Sequence, residues 1–421
     1  MIVQVEALNY RCLRHVRQAL APFQVLIGPN ASGKSTFLDV VAFLADLVRE
    51  RPGVTWAVSD RSPDVRDLCW MREGSTFELA IEAAIPQSLR PRKNGLHSRV
   101  RYEVRVGIDP ASGELGLLSE TLWLRPEAPP SESTVQRELF PLPPTPPGTI
   151  MHPSKKRAPP GWRRVLNKIA QAGNDYFKSE VSDWNNLFRL GPQRSALANL
   201  PEDEDKFPVS VWFRRMLLEG TRRLVLDSAA MRRPSPPGMT RRFLPNGSNL
   251  PWVVRDLEEK HPARLQEWVS HVRTVISDLR GIRSVEREED RHRYLVLDYD
   301  TGLQAPSWLV SDGTLRLLAL TILAYVPGLE GIYLVEEPEN GIHPRAVETV
   351  LQSLSSVYGA QVLLATHSPV ILSVTAPELV LCFARTEAGE TDIVRGSEHP
   401  ALRNWRHETD LGTLFASGVL G

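Results

Sequence analysis

The sequence predicts an α/β fold built around a phosphate-binding loop, with a mostly helical insertion. Residues 23–27 form an apolar run that leads into a glycine-bracketed loop, and from Ser35 onward the apolar residues recur at helical spacing. After residue 281, strand-like and helix-like stretches alternate, which implies parallel strands joined by crossover helices. Between these two parts lies a long stretch of different composition. The core is therefore predicted to be split in sequence.

The stretch VLIGPNASGKST, residues 25–36, matches the pattern G-x-x-x-x-G-K-[ST]. In a strand–loop–helix context this pattern points backbone N–H groups at phosphate oxygens, and the helix N-terminus adds its positive dipole end. Lys34 is expected to reach the β- and γ-phosphates of ATP, and Ser35 to ligate Mg²⁺. The alternative is a chance glycine turn before a helix. The residues predicted to bind nucleotide here are Gly28, Pro29, Asn30, Ala31, Ser32, Gly33, Lys34, Ser35 and Thr36.

Length and composition narrow the class of protein. A chain of 421 residues suits a nucleotide-binding core plus a second module, and the equal numbers of basic and acidic residues, 50 each, create no overall field for nucleic acid or membrane. The three cysteines, Cys12, Cys69 and Cys382, are far apart, which argues against a zinc site and fits a reducing compartment. We find no signal peptide and no apolar run of membrane-spanning length. The expectation is a soluble, cytoplasmic protein without a membrane partner.

The chain from residue 76 to residue 280 shows three kinds of pattern. Residues 76–85 and 100–108 alternate with period two and predict an antiparallel meander. Residues 126–160 contain eleven prolines and predict an exposed loop or linker. Helical patterns follow at about 162–190, 207–219 and 250–280. We therefore divide the chain into an N-terminal lobe (1–125), a linker and helical insertion (126–280) and a C-terminal lobe (281–421).

Two further motifs follow the insertion. In GIYLVEEPENGIHP, residues 331–344, Glu336 and Glu337 end an apolar strand, where ligands bind in parallel α/β sheets. Glu336 is expected to hold Mg²⁺ and Glu337 to act as the general base on the attacking water; the alternative is an exposed acidic turn. In ATHSP, residues 365–369, His367 ends the next strand and is placed to sense the γ-phosphate, although a single histidine there is more often structural.

A third motif, VSDGTLRLLAL at residues 310–320, begins a helix with Ser311 as its N-cap. Alone it indicates an ordinary helix start. Together, however, four motifs resemble those of ABC-type ATPases of the SMC and RecF kind. In chain order they are the phosphate loop, this helix start, the glutamate pair and ATHSP. More narrowly, the chain resembles stand-alone bacterial AAA-type ATPases, which include the OLD-family ATPase domain and the ATPase subunits of anti-phage systems. The resemblance covers residues 1–125 and 281–385 and implies an ABC-ATPase head with a mixed sheet.

The resemblance also implies roles for individual residues. His367 would be the switch histidine, and Arg11, within an Asn-Tyr-Arg element, would lie near the nucleotide. Two departures stand out, because Glu336 replaces the usual aspartate and the signature reads SDGT where transporters have SGGQ. Gln193 is a candidate for the Q-loop glutamine and fits a surface residue equally well. The remaining assignments are Ser311, Asp312, Gly313 and Thr314 as the signature motif, Glu336 and Glu337 as the end of Walker B, and 340–343 as the D-loop.

In this family the signature of one protomer meets the γ-phosphate of ATP held by another, so ATP would join two heads and hydrolysis would release them. Only 54 residues follow His367, which is short for an appended catalytic domain. The first hypothesis is therefore an ATPase switch that controls a separate effector, a nuclease or toxin, docked on the insertion or after residue 385, in phage or plasmid defence.

The second hypothesis is a RecF-like DNA-binding repair ATPase. It rests on three basic clusters, at 90–101, 155–164 and 222–242, which are equally compatible with solvated loops. A transporter ATPase subunit is the third and is disfavoured by the SDGT signature and the large insertion. The trigger, the effector and the oligomer size beyond a dimeric unit do not follow from the sequence.

Overall fold

The computed structural model describes residues 1–49, 53–90, 97–127, 145–152, 158–170 and 175–399. Most of the proline-rich segment and the last 22 residues lie outside these ranges. In chain order the elements are β1 Ile2–Tyr10, β2 Leu13–Ala19, β3 Phe23–Ile27, α1 Lys34–Leu47, α2 Val54–Ser59, β4 Thr76–Ala84, β5 Arg99–Ile108, β6 Leu115–Arg125, β7 Arg163–Ile169, β8 Tyr176–Lys178, β9 Asn185–Leu187, α3 Pro208–Arg215, β10 Thr221–Leu224, α4 Ser228–Arg232, α5 Leu250–Lys260, α6 Pro262–Arg273, β11 Leu279–Glu286, β12 Arg293–Tyr299, β13 Gln304–Pro306, α7 Asp312–Thr321, β14 Gly331–Glu336, α8 Pro344–Ser355, β15 Ala360–Ala365, α9 Pro369–Ser373, β16 Val380–Arg385 and β17 Thr391–Arg395.

The central layer is a six-stranded mixed sheet in the order β10-β14-β15-β3-β16-β17. All neighbouring strands are parallel except the edge pair β16 and β17, which is antiparallel. The strands that precede the phosphate loop, the glutamate pair and His367 are therefore β3, β14 and β15, which lie side by side. Because parallel strands end at one edge of a sheet, the three motifs converge there.

Helix α1 lies between the central sheet and an eight-stranded antiparallel sheet, ordered β2-β1-β4-β5-β6-β7-β8-β9. Residues of β3 alternate between the two faces of the central sheet. Leu26 packs with α1 and the antiparallel sheet, whereas Val25 and Ile27 pack with the other core. That second core is covered by α5 to α8 and by a small antiparallel sheet, β11-β12-β13. Alternation is expected for strands buried on both faces.

Several predicted elements are confirmed. The meander at 76–85 and 100–108 is the antiparallel pair β4 and β5. The helical pattern at 207–219 is α3 followed by a π-helical turn, Met216–Gly220, and the pattern at 250–280 contains α5 and α6.

One predicted element and one predicted strand pairing are wrong. The stretch 162–190 contains β7, β8 and β9 rather than a helix, because the open edge of β6 supplies a hydrogen-bonding partner for β7. The stretch 294–300 is strand β12, but it belongs to the small antiparallel sheet and not to the parallel alternation. The inserted segment therefore contributes strands to both large sheets, β7–β9 to one and β10 to the other. The proposed boundaries at 125 and 280 remain a prediction.

The first basic cluster includes a buried ion-pair network rather than a charged surface. Arg101 is only 3% exposed and contacts three carboxylates, at 2.8 Å from Glu6, 3.2 Å from Glu82 and 2.6 Å from Glu103. Removing one partner of such a network leaves buried charges unpaired, which costs about 3–5 kcal/mol. Charge reversal at Arg101 would thus report on folding and not on nucleic-acid binding.

In the second basic cluster, the described arginines also make internal contacts. The Arg163 guanidinium donates to the carbonyl oxygen of Ser179, and Arg164 stacks over the ring of Trp123 at 4.3 Å. The basic residues 92, 93 and 155–157 lie outside the described ranges. None of the helices that the structure describes is both long enough and apolar enough to cross a membrane.

Candidate functional site

The phosphate loop joins β3 to α1 and presents the first turn of that helix. Gly33 is the N-cap with φ of +104°, a conformation that favours glycine, and it gives the first turn no side-chain hydrogen bond. The first N–H groups of α1 therefore have no capping side chain, as a phosphate cradle requires. The Lys34 ammonium lies back across the loop and donates to the carbonyl oxygens of Gly28 at 2.6 Å and Pro29 at 2.9 Å.

The Lys34 ammonium is mostly shielded from water. Burial lowers its pKa, and the nearby carboxylates of Glu337, Glu336 and Glu339 oppose that shift. The ammonium is thus held by hydrogen bonds to loop carbonyls and by the negative charge of these nearby carboxylates, and not by a direct ion pair. A phosphate group would offer it a stronger partner than neutral carbonyls do, because hydrogen bonds between ionised groups are the stronger kind.

The loop is supported from the far end of the chain. Thr391, on β17, donates its hydroxyl to the carbonyl oxygen of Ser32 at 2.9 Å, and its N–H donates to the carbonyl oxygen of Cys12 at 3.0 Å. A side chain at Gly33 would overlap the Thr391 hydroxyl. No local motif marks Thr391, so sequence reasoning missed it.

The two residues expected to bind the metal meet directly. The Ser35 hydroxyl donates a short hydrogen bond to Oε2 of Glu336, although 301 residues separate them in sequence. A hydroxyl and a carboxylate are oxygen ligands of the kind that Mg²⁺ prefers. The residues present therefore fit this ion. The other carboxylate oxygen, Oε1, accepts from the guanidinium of Arg223, which no sequence motif had singled out.

Glu337 has the strained backbone of a functional position. Its φ is +48°, a region that non-glycine residues rarely adopt, and its N–H donates to the carbonyl oxygen of Ala365 at 2.8 Å. The carboxylate accepts a short hydrogen bond from the side-chain amide of Asn340, and Oε1 lies 3.5 Å from Nε2 of His367. The structure thus places Glu337 and His367 side by side, on the ends of adjacent strands, as predicted.

His367 retains an unused polar atom. Its Nδ1 is buried and has no hydrogen-bond partner among the described residues. Nearby, the Thr366 hydroxyl donates to Glu339 at 2.5 Å and accepts from the N–H of Ser368 at 2.9 Å, which fixes the chain on both sides of the histidine. Buried polar atoms usually find partners, so the Nδ1 of His367 is an exception among the described residues of the site.

The predicted signature motif begins α7 and packs on the D-loop. Ser311 is the N-cap, and its hydroxyl accepts from the N–H of Thr314 at 3.2 Å. A Cβ added to Gly313 would lie 2.6 Å from the carbonyl oxygen of Gly341, so only glycine allows this close approach. Asp312 pairs with Arg232 at 2.6 Å. Among the described residues, no hydrogen bond or ion pair joins the signature 311–314 to the loop 28–36 of the same protomer.

Arg11 lies beside α1. It also has a positive φ, +51°, and its guanidinium is 3.5 Å from Asp39, one turn beyond Ser35. Asp39 also accepts from the Tyr10 hydroxyl at 2.6 Å and from Arg61 at 2.8 Å. Burial raises the pKa of Tyr10 well above its usual value, so the phenol remains a donor. A nucleotide-contacting role for Arg11 stays a prediction.

The Q-loop assignment of Gln193 gains no support. Its side-chain amide donates to the carbonyl oxygen of Leu115 and accepts from the Thr55 hydroxyl, so the side chain links α2 to β6.

Two cavities lie at the candidate site. One, of about 400 Å³, is lined in part by Arg316, Glu336 and Glu337. The other, of about 410 Å³, is lined in part by Arg11, Ser35 and Asp39.

A family model and several solved structures match most of this chain. The family model described as "AAA domain, putative AbiEii toxin, Type IV TA system" matches residues 23–106 and 147–373. These ranges include all the site residues discussed above except Arg11 and Thr391. No curated protein sequence matches the chain.

Among solved structures, the Smc head bound to the C-terminal winged-helix domain of ScpA covers 93% of this chain and 97% of its own, at 15% identity and a TM-score of 0.53. A Smc head with an extended coiled coil, bound to the C-terminal domain of ScpA derived from Pyrococcus furiosus, matches at 12% identity, coverages of 93% and 95%, and a TM-score of 0.47. The SMC head of Thermotoga maritima matches at 9% identity, coverages of 94% and 98%, and a TM-score of 0.41. The first of these shows that the fold is that of an SMC-type P-loop ATPase head.

Proposed function

Because this chain belongs to the AAA domain family whose description names the AbiEii toxin and type IV TA systems, we propose that it is an ATP-driven switch. It binds ATP with Mg²⁺, hydrolyses it, and passes the nucleotide state to a separately encoded effector. The observation that carries the ATPase part is the convergence at one sheet edge of Lys34, the Ser35–Glu336 pair and the Glu337–His367 pair.

In this mechanism Lys34 leaves the loop carbonyls and binds the β- and γ-phosphates of ATP. Ser35 and Glu336 would hold Mg²⁺, which would neutralise charge on the phosphates. Glu337 takes the proton of the attacking water, and the Asn340 amide holds its carboxylate in place. His367 donates a hydrogen bond to the γ-phosphate or to the water, so it distinguishes the triphosphate from the diphosphate state.

The first test is Mg²⁺-dependent ATP binding and hydrolysis by the purified protein. Lys34→Ala should weaken ATP binding about 10- to 100-fold, because a hydrogen-bonded cation is lost from the phosphates. Binding is measured with a fluorescent ATP analogue and hydrolysis by phosphate release. Lys260→Ala, which removes an exposed lysine paired with Asp256 on α5, is the matched control and should behave as wild type. Equal ATP affinity in Lys34→Ala and wild type would exclude the phosphate-loop assignment.

Composite sites between two protomers complete the proposal. Within one protomer the signature 311–314 is linked to the catalytic edge through the D-loop, since Gly313 packs on Gly341 and Asn340 holds Glu337. The N-terminus of α7 is exposed at Ser311 and Asp312 and is therefore accessible to the phosphates of a second copy. ATP bound between two heads would join them, and hydrolysis would separate them.

The effector is proposed to be a nuclease or toxin that docks on the inserted segment or after residue 385. The family description, which names a toxin and a type IV TA system, supports a separate partner. In the insertion, β9 is an edge strand with a hydrogen-bonded neighbour on one side, and beside it Trp184 and Leu187 are 38% and 72% exposed. Exposed apolar side chains along a sheet edge suit the addition of a partner strand.

Co-purification with the product of the neighbouring gene tests this part. We expect retention to differ between Glu337→Gln, which holds ATP, and Lys34→Ala, which does not. The RecF-like alternative predicts instead that no protein is retained by either variant. It also predicts tight, salt-sensitive DNA binding, lost when the exposed Arg233 and Arg242 of the third basic cluster are changed to Glu. That result would exclude the effector hypothesis.

A further inference from the structure

Arg223 is a residue at the candidate metal site that neither the motifs nor the proposed mechanism uses. It lies on β10, the edge strand that pairs in parallel with β14, opposite Leu334. Its guanidinium approaches Oε1 of Glu336 from two atoms, Nη2 at 2.7 Å and Nε at 3.0 Å. The side chain of Arg223 is 57% exposed and that of Glu336 only 23%.

Both oxygens of the Glu336 carboxylate are therefore engaged in this state. Oε2 accepts from Ser35, and Oε1 accepts from Arg223. We propose that Arg223 is a positioning residue that occupies the place of the cation at Glu336, so that Mg²⁺ enters only together with the phosphates of ATP. This inference rests on the proposed function, because it concerns the metal-binding step of the same site.

The ion pair between Arg223 and Glu336 is weak enough for such an exchange. An ion pair formed by a half-exposed arginine is weak, since water competes for the guanidinium. Mg²⁺ carried by a triphosphate brings further oxygen ligands and can displace it. Free Mg²⁺ would find two side-chain ligands, Ser35 and Glu336, beside the positive charge of Arg223. Arg223 thus disfavours metal binding before nucleotide binding.

The surroundings give Arg223 room to move. Its side chain lines both cavities beside Glu336, the one that contains Glu337 and Asn340 and the one that contains Asp39 and Arg11. The guanidinium can therefore leave Glu336 by a change of side-chain rotamer, without a change in the pairing of β10 with β14.

The test measures Mn²⁺ binding to the nucleotide-free protein, from the loss of the free-ion signal in electron paramagnetic resonance. Wild type should bind Mn²⁺ weakly. Arg223→Gln should bind it about tenfold more tightly or better, because a positive charge a few ångströms from a divalent ion is removed. Arg223→Lys keeps the charge and should resemble wild type. Arg242→Gln, which removes an exposed arginine paired with Glu219 and not with Glu336, is the matched control.

Adding Glu336→Gln to Arg223→Gln should abolish the gain, because the ion then loses its charged ligand. Unchanged Mn²⁺ affinity in Arg223→Gln overturns the inference. So does a gain that persists without Glu336, or a gain of equal size in Arg223→Lys. If Arg223→Gln does not fold, Arg223→Met takes its place, with thermal unfolding as the check.

ATP binding by wild type in the presence of Mg²⁺ is measured separately. Failure there would count against the proposed function, whereas failure in the Mn²⁺ titration alone would count only against the role of Arg223.

Discussion

Glu337→Gln should lower the rate of ATP hydrolysis about 10²- to 10⁴-fold while ATP remains bound, because the amide keeps the shape of the carboxylate but cannot take a proton from water. The geometry supports this separation of effects. Glu337 contacts Asn340 and His367, whereas the phosphate loop and the Ser35–Glu336 pair hold the groups expected to bind ATP and Mg²⁺. The measurements are single-turnover phosphate release and equilibrium ATP binding on the same preparation.

The matched control for Glu337→Gln is Glu348→Gln. Glu348 is an exposed residue on α8 that contacts Gln352 at 3.2 Å, and its replacement should leave both measurements unchanged. Hydrolysis by Glu337→Gln at the wild-type rate would show that another group takes the proton. His367, whose Nε2 lies 3.5 Å from Oε1 of Glu337, is then the next residue to test.

Ser311→Arg should abolish hydrolysis in a homogeneous preparation, because it places bulk and charge where the N-terminus of α7 meets the γ-phosphate bound by the second protomer. The Ser311 hydroxyl accepts from the N–H of Thr314 and donates to the Thr314 hydroxyl. Both hydrogen bonds are local and Ser311 is exposed, so the fold should tolerate the loss of this helix cap. Ser112→Arg, in the exposed turn between β5 and β6, is the control for adding an arginine to the surface.

Mixing distinguishes a shared site from a site within one chain. A dimer of one Ser311→Arg and one Lys34→Ala protomer has one composite site with both defects and one with neither. Equal mixing should restore roughly a quarter of the wild-type activity, since random pairing makes about half of the dimers mixed and each keeps one of two symmetric sites. If subunit exchange is verified and activity stays at zero, sites formed between protomers are excluded.

Much of the site could be predicted because its signals are local. The pattern from Gly28 to Ser35 is contiguous, and the apolar run before it and the helical spacing after it specify strand, loop and helix. The proximity of Glu337 and His367 also followed from sequence, since each ends a strand in a βαβ succession and adjacent parallel strands end at one edge.

The errors share a physical cause, which is that pairing across a sheet is not encoded in a short stretch. The segment that contains β7 has apolar residues at spacings compatible with a helix, but the free edge of β6 makes it a strand. Arg101 looks like a surface charge in sequence. It is buried among carboxylates of one sheet, since Glu103 lies on its own strand, β5, and Glu82 and Glu6 lie on the next two strands, β4 and β1.

The sequence by itself determined the phosphate loop, the order of the motifs and their place at the ends of strands, because each depends on residues close together in the chain. Only the tertiary structure decided what surrounds them. The Arg223–Glu336 pair joins residues 113 apart, and Thr391 reaches Ser32 across 359 residues. Neither contact leaves a local signature, since an arginine in a four-residue strand and a threonine in an edge strand are common. The spatial order of the strands in the central sheet determines which residues these two side chains contact.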